Sequence, residues 1–226
     1  MKYHNNGDDM KKIITVILGV FLFVSGCSCG NETFSVTKLE NFANKDIKTY
    51  GIFYKKYENG VKLSEFNVIS KCNDTYCEYY MKKEIYNSKQ EYWYIYNETN
   101  YILKTKENGV AKADRQAPLT VSDKNFEVNI NLLLNYVNKD IDFYKERNEN
   151  FTYKVEDKRY VTEFKAYTLD EKLAEKSTNR YSFDKKNNVD RFVKEKENYN
   201  ANNGNIISVE KIEMEMIYDG IVIPSF

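Results

Sequence analysis

Histidine is nearly absent from this 226-residue chain: His4 is its one example. Everything beyond it is therefore closed to Ser-His-Asp or Cys-His nucleophilic catalysis and to histidine-based metal sites. Carboxylate pairs of the glycosidase kind remain chemically open, but the acidic residues are spread evenly and no pair stands out. The chain reads as non-enzymatic, with no metal and no cofactor expected. An excess of one charge is missing too, with 34 basic and 34 acidic residues. Neither a nucleic-acid footprint nor a polybasic membrane patch is expected from that balance. Proline is limited to Pro118 and Pro224, and Lys, Asn, Tyr, Ile and Glu are abundant. That bias suits an AT-rich bacterial genome and says little about function. The 20 tyrosines matter physically: each offers a large apolar body with a polar tip, suited to half-buried sheet faces.

Long apolar runs are also lacking, with one exception. Residues 13–27 read IITVILGVFLFVSGC, and the apolar part, Ile13 to Val24, spans 12 residues. A membrane span needs roughly 20; a shorter run behind Lys11 and Lys12 reads as a secretory signal. Met10 offers an alternative start that removes Asp8 and Asp9 from in front of the run. The tail VSGC, Val24 to Cys27, resembles the bacterial lipobox. The resemblance implies that the Cys27 thiol carries diacylglycerol with palmitate-like chains and that the signal is cut just before it. Acyl chains contribute about 0.8 kcal/mol per buried methylene, and two or more anchor stably. The organisation expected is a signal peptide over 1–26, a lipidated tether over 27–33 and one domain over 34–226. The protein would then sit on the extracytoplasmic face of a bacterial cell envelope, its partner the membrane through Cys27. A plain signal peptide and a single N-terminal anchor helix are the other readings of the run. Loss of residues 1–26 would remove Lys2, Lys11, Lys12, Asp8 and Asp9, leaving 200 residues of net charge about −1. That length suffices for one domain with a substantial core.

Three further cysteines remain. Cys29 falls in the tether. Cys72 and Cys77 flank NDTY, a four-residue loop between two strand-like runs that could bring them within disulfide reach; two unpaired thiols are the alternative.

Periodicity organises the rest. SVTKLENFANKDI places Val36, Leu39, Phe42, Ala43 and Ile47 near helical spacing, which predicts a helix over about 34–45. The period then changes to two. TYGIFYKKY and VKLSEFNVISK flank Asn59-Gly60, a strong hairpin signal. CEYYMKKEIY, EYWYIYN, YILKTKE and, after Asn108-Gly109, VAKADR extend this to about six antiparallel strands. EYWYIYN is apolar or aromatic on both faces and reads as central; its Tyr92, Trp93 and Tyr94 are either a ligand platform or cross-strand packing. Past Pro118, Ser122 or Asp123 can cap a helix on which Phe126, Ile130, Leu133, Leu134, Val137 and Ile141 form one apolar stripe. Strands resume with NFTYKVED and RYVTEFKAYT. Thr168 and Glu171 suggest a capping box opening LDEKLAEKS. RYSFDKKNNVDRFV reads as a strand pair. In the last segment a phase shift between Val209 and Ile212 predicts a bulge.

This order, with YTLDEK (Tyr167–Lys172), RYSFDKKNNVDRFV (Arg180–Val193) and a close in YDGIVIP (Tyr218–Pro224), resembles the LolA-like lipoprotein-carrier superfamily over most of 34–226. The resemblance implies an α+β fold: a curved antiparallel β-sheet, an unclosed half-barrel, covered by two or three helices. It also implies a concave cavity for an acyl chain or other hydrophobic ligand; Phe126, Ile130, Leu133, Leu134, Val137 and Trp93 are the candidates to line it, with core packing as the other reading of the same residues. A closed small barrel and a cystatin-like sheet on a helix fit the pattern nearly as well. Two functions follow: a lipid-binding envelope lipoprotein, or a structural or interaction module whose sheet is filled by its own side chains. The anchor is tested directly. Cys27→Ala is expected to leave the protein unprocessed and without acyl chains, read by mass and by detergent partition. A processed Cys27→Ala protein still entering the detergent phase would refute the lipobox.

Overall fold

Turn chemistry sets the register of the sheet. In the computed structural model, which describes residues 33–85, 88–97, 100–118 and 128–226, Asn59 and Gly60 take φ of 49° and 80°. They fold β1 (Thr49–Glu58) back onto β2 (Val61–Cys72). Paired left-handed residues match the twist of the flanking strands, which is why Asn-Gly is favoured there. After β3 (Cys77–Ile85) and β4 (Ser88–Tyr96), Asn108-Gly109 repeats the device between β5 (Asn100–Glu107) and β6 (Val110–Ala111). β6 and β7 (Arg115–Pro118) both pair with β5, at its two ends.

A second meander comprises β8 (Phe151–Glu156), β9 (Arg159–Tyr167), β10 (Leu173–Phe183), β11 (Val189–Tyr199) and β12 (Ile206–Ile217). The strand order is β6-β5-β4-β3-β2-β1-β12-β11-β10-β9-β8, an open antiparallel sheet. The meanders meet where β1 pairs with β12, from Gly51 opposite Ile217 to Glu58 opposite Glu210. Gly51 marks a close approach: a Cβ there would lie 2.6 Å from Ile217 Cγ1, so that side chain would have to shift. Two helices complete the described residues, α1 (Val36–Ala43) and α2 (Ile130–Lys145). The fold is thus α+β, a curved open sheet covered by helices.

One face of the sheet meets the helices. Ile52, Tyr54, Phe66, Val68, Tyr79, Met81, Tyr181, Phe192, Met214 and Met216, from strands of both meanders, form one buried cluster with Leu39 and Phe42 of α1 and Leu133 and Val137 of α2. The apolar stripe of α2 is what the sheet's inner face requires, since a two-period strand buries alternate residues against one cover. Tyr136 stacks on Phe192 and Phe143 on Phe164 along the same helix.

Several expectations are corrected. α2 begins at Ile130, with Asn129 as the cap accepting from the Leu132 amide at 3.2 Å; Ser122, Asp123 and Phe126 lie outside the described residues. The Thr168–Glu171 segment opens no helix. Thr168 and Lys172 close a hairpin turn (amide to carbonyl, 2.8 Å), with Glu171 at φ 60°. LDEKLAEKS then continues largely as β10, because ladder partners on β9 and β11 are available on both sides. β12 carries no bulge between Val209 and Ile212. On the early side of the phase change Ile206 and Ile207 are exposed, while Met214 and Met216 on the late side are buried. β4 is third from the β6 edge rather than central; its outer face is aromatic because the C-terminal tail covers it, as described below.

Leu133 is fully buried. Leu133→Ala is expected to lower stability by about 2–5 kcal/mol through lost burial and a residual cavity, read by urea unfolding. A loss below about 1 kcal/mol would mean that α2 borders open space instead.

Candidate functional site

The residues predicted to line a concave cavity divide three ways. Ile130, Leu133 and Val137 are core, and Leu134 packs partly buried against them. Phe126 lies outside the described residues. Trp93 belongs to the opposite face: its phase on β4 pairs it with Tyr80 on β3 and Lys104 on β5. The structure therefore does not bring Trp93 together with the helix stripe. Alternation explains the error, since Tyr92, Tyr94 and Tyr96 take the inner face and Trp93 must point away.

Beneath α2 lies a polar centre that the sequence reading missed. Asp140, only 4% exposed, accepts hydrogen bonds from Thr162 Oγ1 (2.6 Å), Tyr181 Oη (2.7 Å) and Asn179 Nδ2 (3.0 and 3.1 Å). The signal was present. Asp140 follows Val137 by three residues and Leu133 by seven, so it falls on the buried stripe, where an acid needs partners. Burial, the leading cause, raises the Asp140 carboxyl above its ordinary range, against the lowering effect of its three donors and of the Lys194 charge. Burial and the neighbouring Asp140 push the Tyr181 hydroxyl well up. Lys194 is held low by burial and by the charge of Lys139, and its Nζ lies 4.5 Å from the Tyr136 ring centre. The space here is about 30 Å³, lined by Lys139, Asp140, Asn179 and Lys194 among others. That is about one water's share of liquid volume. Asn179 Oδ1 is buried without a hydrogen-bond partner. The assembly fastens a helix to a sheet; it offers no space for an acyl chain.

The outer face has a second aromatic cluster. Trp93 lies 5.0 Å from Tyr80 and 5.0 Å, edge-on, from Phe226. Trp93 Nε1 donates to the Pro224 carbonyl at 2.8 Å, so the C-terminal tail is strapped over β4. The Lys106 ammonium lies 4.6 Å from the Phe226 ring centre, and burial raises the Tyr80 hydroxyl to about 12. The adjoining cleft, lined by Trp93, Ile95, Lys104 and Ile223 among others, is about 250 Å³, short of the roughly 300–1,000 Å³ of ligand pockets.

Cys72 and Cys77 are joined by a disulfide with Cα atoms 4.1 Å apart, closing the β2–β3 hairpin. Asn73 organises the loop by accepting from the Thr75 and Tyr76 amides at 2.8 and 2.9 Å. Cys27 lies outside the described residues. Among the described residues no group of three or more His, Cys, Asp or Glu is placed to hold a metal ion, and no helix is long and apolar enough to cross a membrane. Compared with known proteins, the chain matches no family model, and a search of curated proteins returns no significant match.

The polar centre generates a pH dependence. Because its folded carboxyl is raised, Asp140 keeps its proton to higher pH than the unfolded chain does. Its contribution is fully present below the ordinary value of 3.8 and is lost as pH rises through the raised folded value. Tyr181, pushed well above its ordinary value, does not titrate in that window. Asp140→Asn, neutral at all pH, is expected to remove this loss. Urea unfolding at about pH 4 and about pH 8 should show the wild type falling relative to the variant; parallel pH profiles would refute the assignment.

Proposed function

We propose that this is a membrane-anchored, extracytoplasmic lipoprotein of a bacterial envelope, whose folded domain is a non-enzymatic interaction module with a self-filled core. The observation that carries the reading is the packing of α2 into the concave side. Leu133 and Val137 are fully buried against the sheet, and the described space beside the helix is about 30 Å³. A saturated chain of palmitate length needs a cavity of the ligand class, roughly ten times larger. The anchored location is supported by the apolar run and VSGC ending at Cys27. The non-enzymatic reading is supported by the lack of histidine after His4.

The LolA-like likeness belongs to the same proposal in modified form. The sheet is open and antiparallel with a helix across its concave side, as a half-barrel carrier requires, but this helix acts as a permanent plug. A plugged half-barrel engages partners through its surface and leaves no room for cargo.

The test is ligand binding by protein freed of co-purified lipid. An environment-sensitive fluorescent fatty acid is expected to show no saturable binding. Saturable binding near one equivalent, displaced by palmitate, would overturn the plugged module and restore the carrier.

A further inference from the structure

Arginine is used sparingly here. Of 34 basic residues only five are arginines, at positions 115, 147, 159, 180 and 191. Three of those five, Arg159, Arg180 and Arg191, line a single cleft of about 210 Å³ on the outer face of β9–β12. A chain that uses lysine almost everywhere has concentrated its planar, bidentate cations in one place.

The ladder register accounts for the convergence. Ser182 pairs with Arg191 and Arg180 with Val193 across β10 and β11. Arg159 precedes Tyr160, the β9 partner of Tyr181. All three arginines alternate with inward residues: Tyr160, Tyr181 and Phe192 are buried under the helices. Arg159 and Arg191 thus flank Ser182 from the two neighbouring strands, about 10 Å apart at two strand spacings.

Two of the cleft's cations are committed. Arg180 Nη1 lies 2.6 Å from Glu195 Oε2, and Lys211 Nζ lies 2.8 Å from Glu213 Oε1. The side chains of Arg159 and Arg191 have no hydrogen bond or ion pair with a described residue. Glu215 pairs with Arg191 in the β11–β12 ladder without forming an ion pair. Arg191 is close enough to Glu213 to help hold that carboxyl low, behind the larger effect of the Lys211 hydrogen bond. Four cations against two carboxylates leave the lining at +2, on a chain of balanced charge.

We propose that this cleft binds a phosphate group, carried on a small molecule or a lipid head or free in solution. A carboxylate has two acceptor oxygens and can be met by a single guanidinium fork; Glu195 already takes one hydrogen bond from Arg180. Two uncommitted guanidinium forks with a hydroxyl between them suit an anion with three or more acceptor oxygens and more than one charge. Phosphate monoesters have both. Arg159 and Arg191 would grip it from either side, with the Ser182 hydroxyl donating from below; Glu195 and Glu213 hold Arg180 and Lys211 in place beside it. The proposal goes beyond the anchored-module reading and does not rest on it, because the cleft is built from residues of β9–β12 alone.

The experiment has two arms on the full chain at about 0.15 M salt, where long-range surface attraction is screened. One arm titrates inorganic phosphate and glycerol 3-phosphate calorimetrically. The other measures co-sedimentation with phosphatidylcholine vesicles with and without phosphatidic acid, the increment separating the cleft from any anchor. Saturable binding is expected in at least one arm, weakened about tenfold or more in Arg159→Gln and in Arg191→Gln. Arg191→Lys is expected to lose several-fold, since it keeps the charge but not the fork, and exposed Lys71→Gln on β2 is expected to change nothing. Binding of the soluble phosphates assigns a free or small-molecule source; an increment with vesicles alone assigns a lipid head. No binding in either arm overturns the proposal. So does binding unchanged in both glutamine variants, or binding weakened equally by Lys71→Gln. Both arginines are exposed, and native circular dichroism of the variants separates lost binding from lost folding.

Discussion

The ladder between β1 and β12 is the constraint on which the rest of the structure depends. Each meander is built from neighbours in sequence, so each can form its hairpins locally. The seam joins residues 152 to 166 positions apart, and its closure is the entropically costly step. Its inward pairs, Ile52 opposite Met216 and Tyr54 opposite Met214, lie within the buried cluster beneath the helices. Its turn is locked from outside the hairpin: Asn59 donates its amide to the Val209 carbonyl at 2.8 Å and accepts from the Val209 amide at 2.9 Å. Without the seam the inner face would be two narrow sheets, neither wide enough to bury the whole stripe of α2.

Helix α2 is the second fastening across that seam. At its start, Tyr79 of β3 donates to the Val128 carbonyl at 2.8 Å. Further along, Asp140 is held by Thr162 of β9 and by Asn179 and Tyr181 of β10. One end is bonded to the first meander and the other to the second. The apolar stripe supplies most of the burial energy, while the buried carboxylate, which costs free energy to desolvate, fixes the helix's rotation and register against the sheet.

Legibility in the sequence followed the range of the interaction that decides each feature. The Asn-Gly turns, the α2 stripe and the 72–77 spacing are local, and the hairpins, the helix face and the disulfide lie where these patterns put them. Trp93 was assigned to the wrong face because both faces of β4 are aromatic, and the cover of its outer face, Pro224 and Phe226, lies more than 130 residues downstream. Thr168 and Glu171 match a capping box, but ladder partners on β9 and β11 outweigh a single local motif. Asp140 was legible in principle as an acid on an apolar stripe; its partners were not, since they come from strands 22 to 41 residues away.

By itself the sequence determined the hairpin turns, the alternation of the strands and the amphipathic face of α2, because φ preferences and side-chain periodicity act within a few residues. Tertiary structure alone decided that the two meanders share one sheet, that α2 packs on its inner face, and that three scarce arginines converge on the opposite face. Each of these depends on which distant strands become neighbours, and that is settled only when the β1–β12 seam and the common core are closed together.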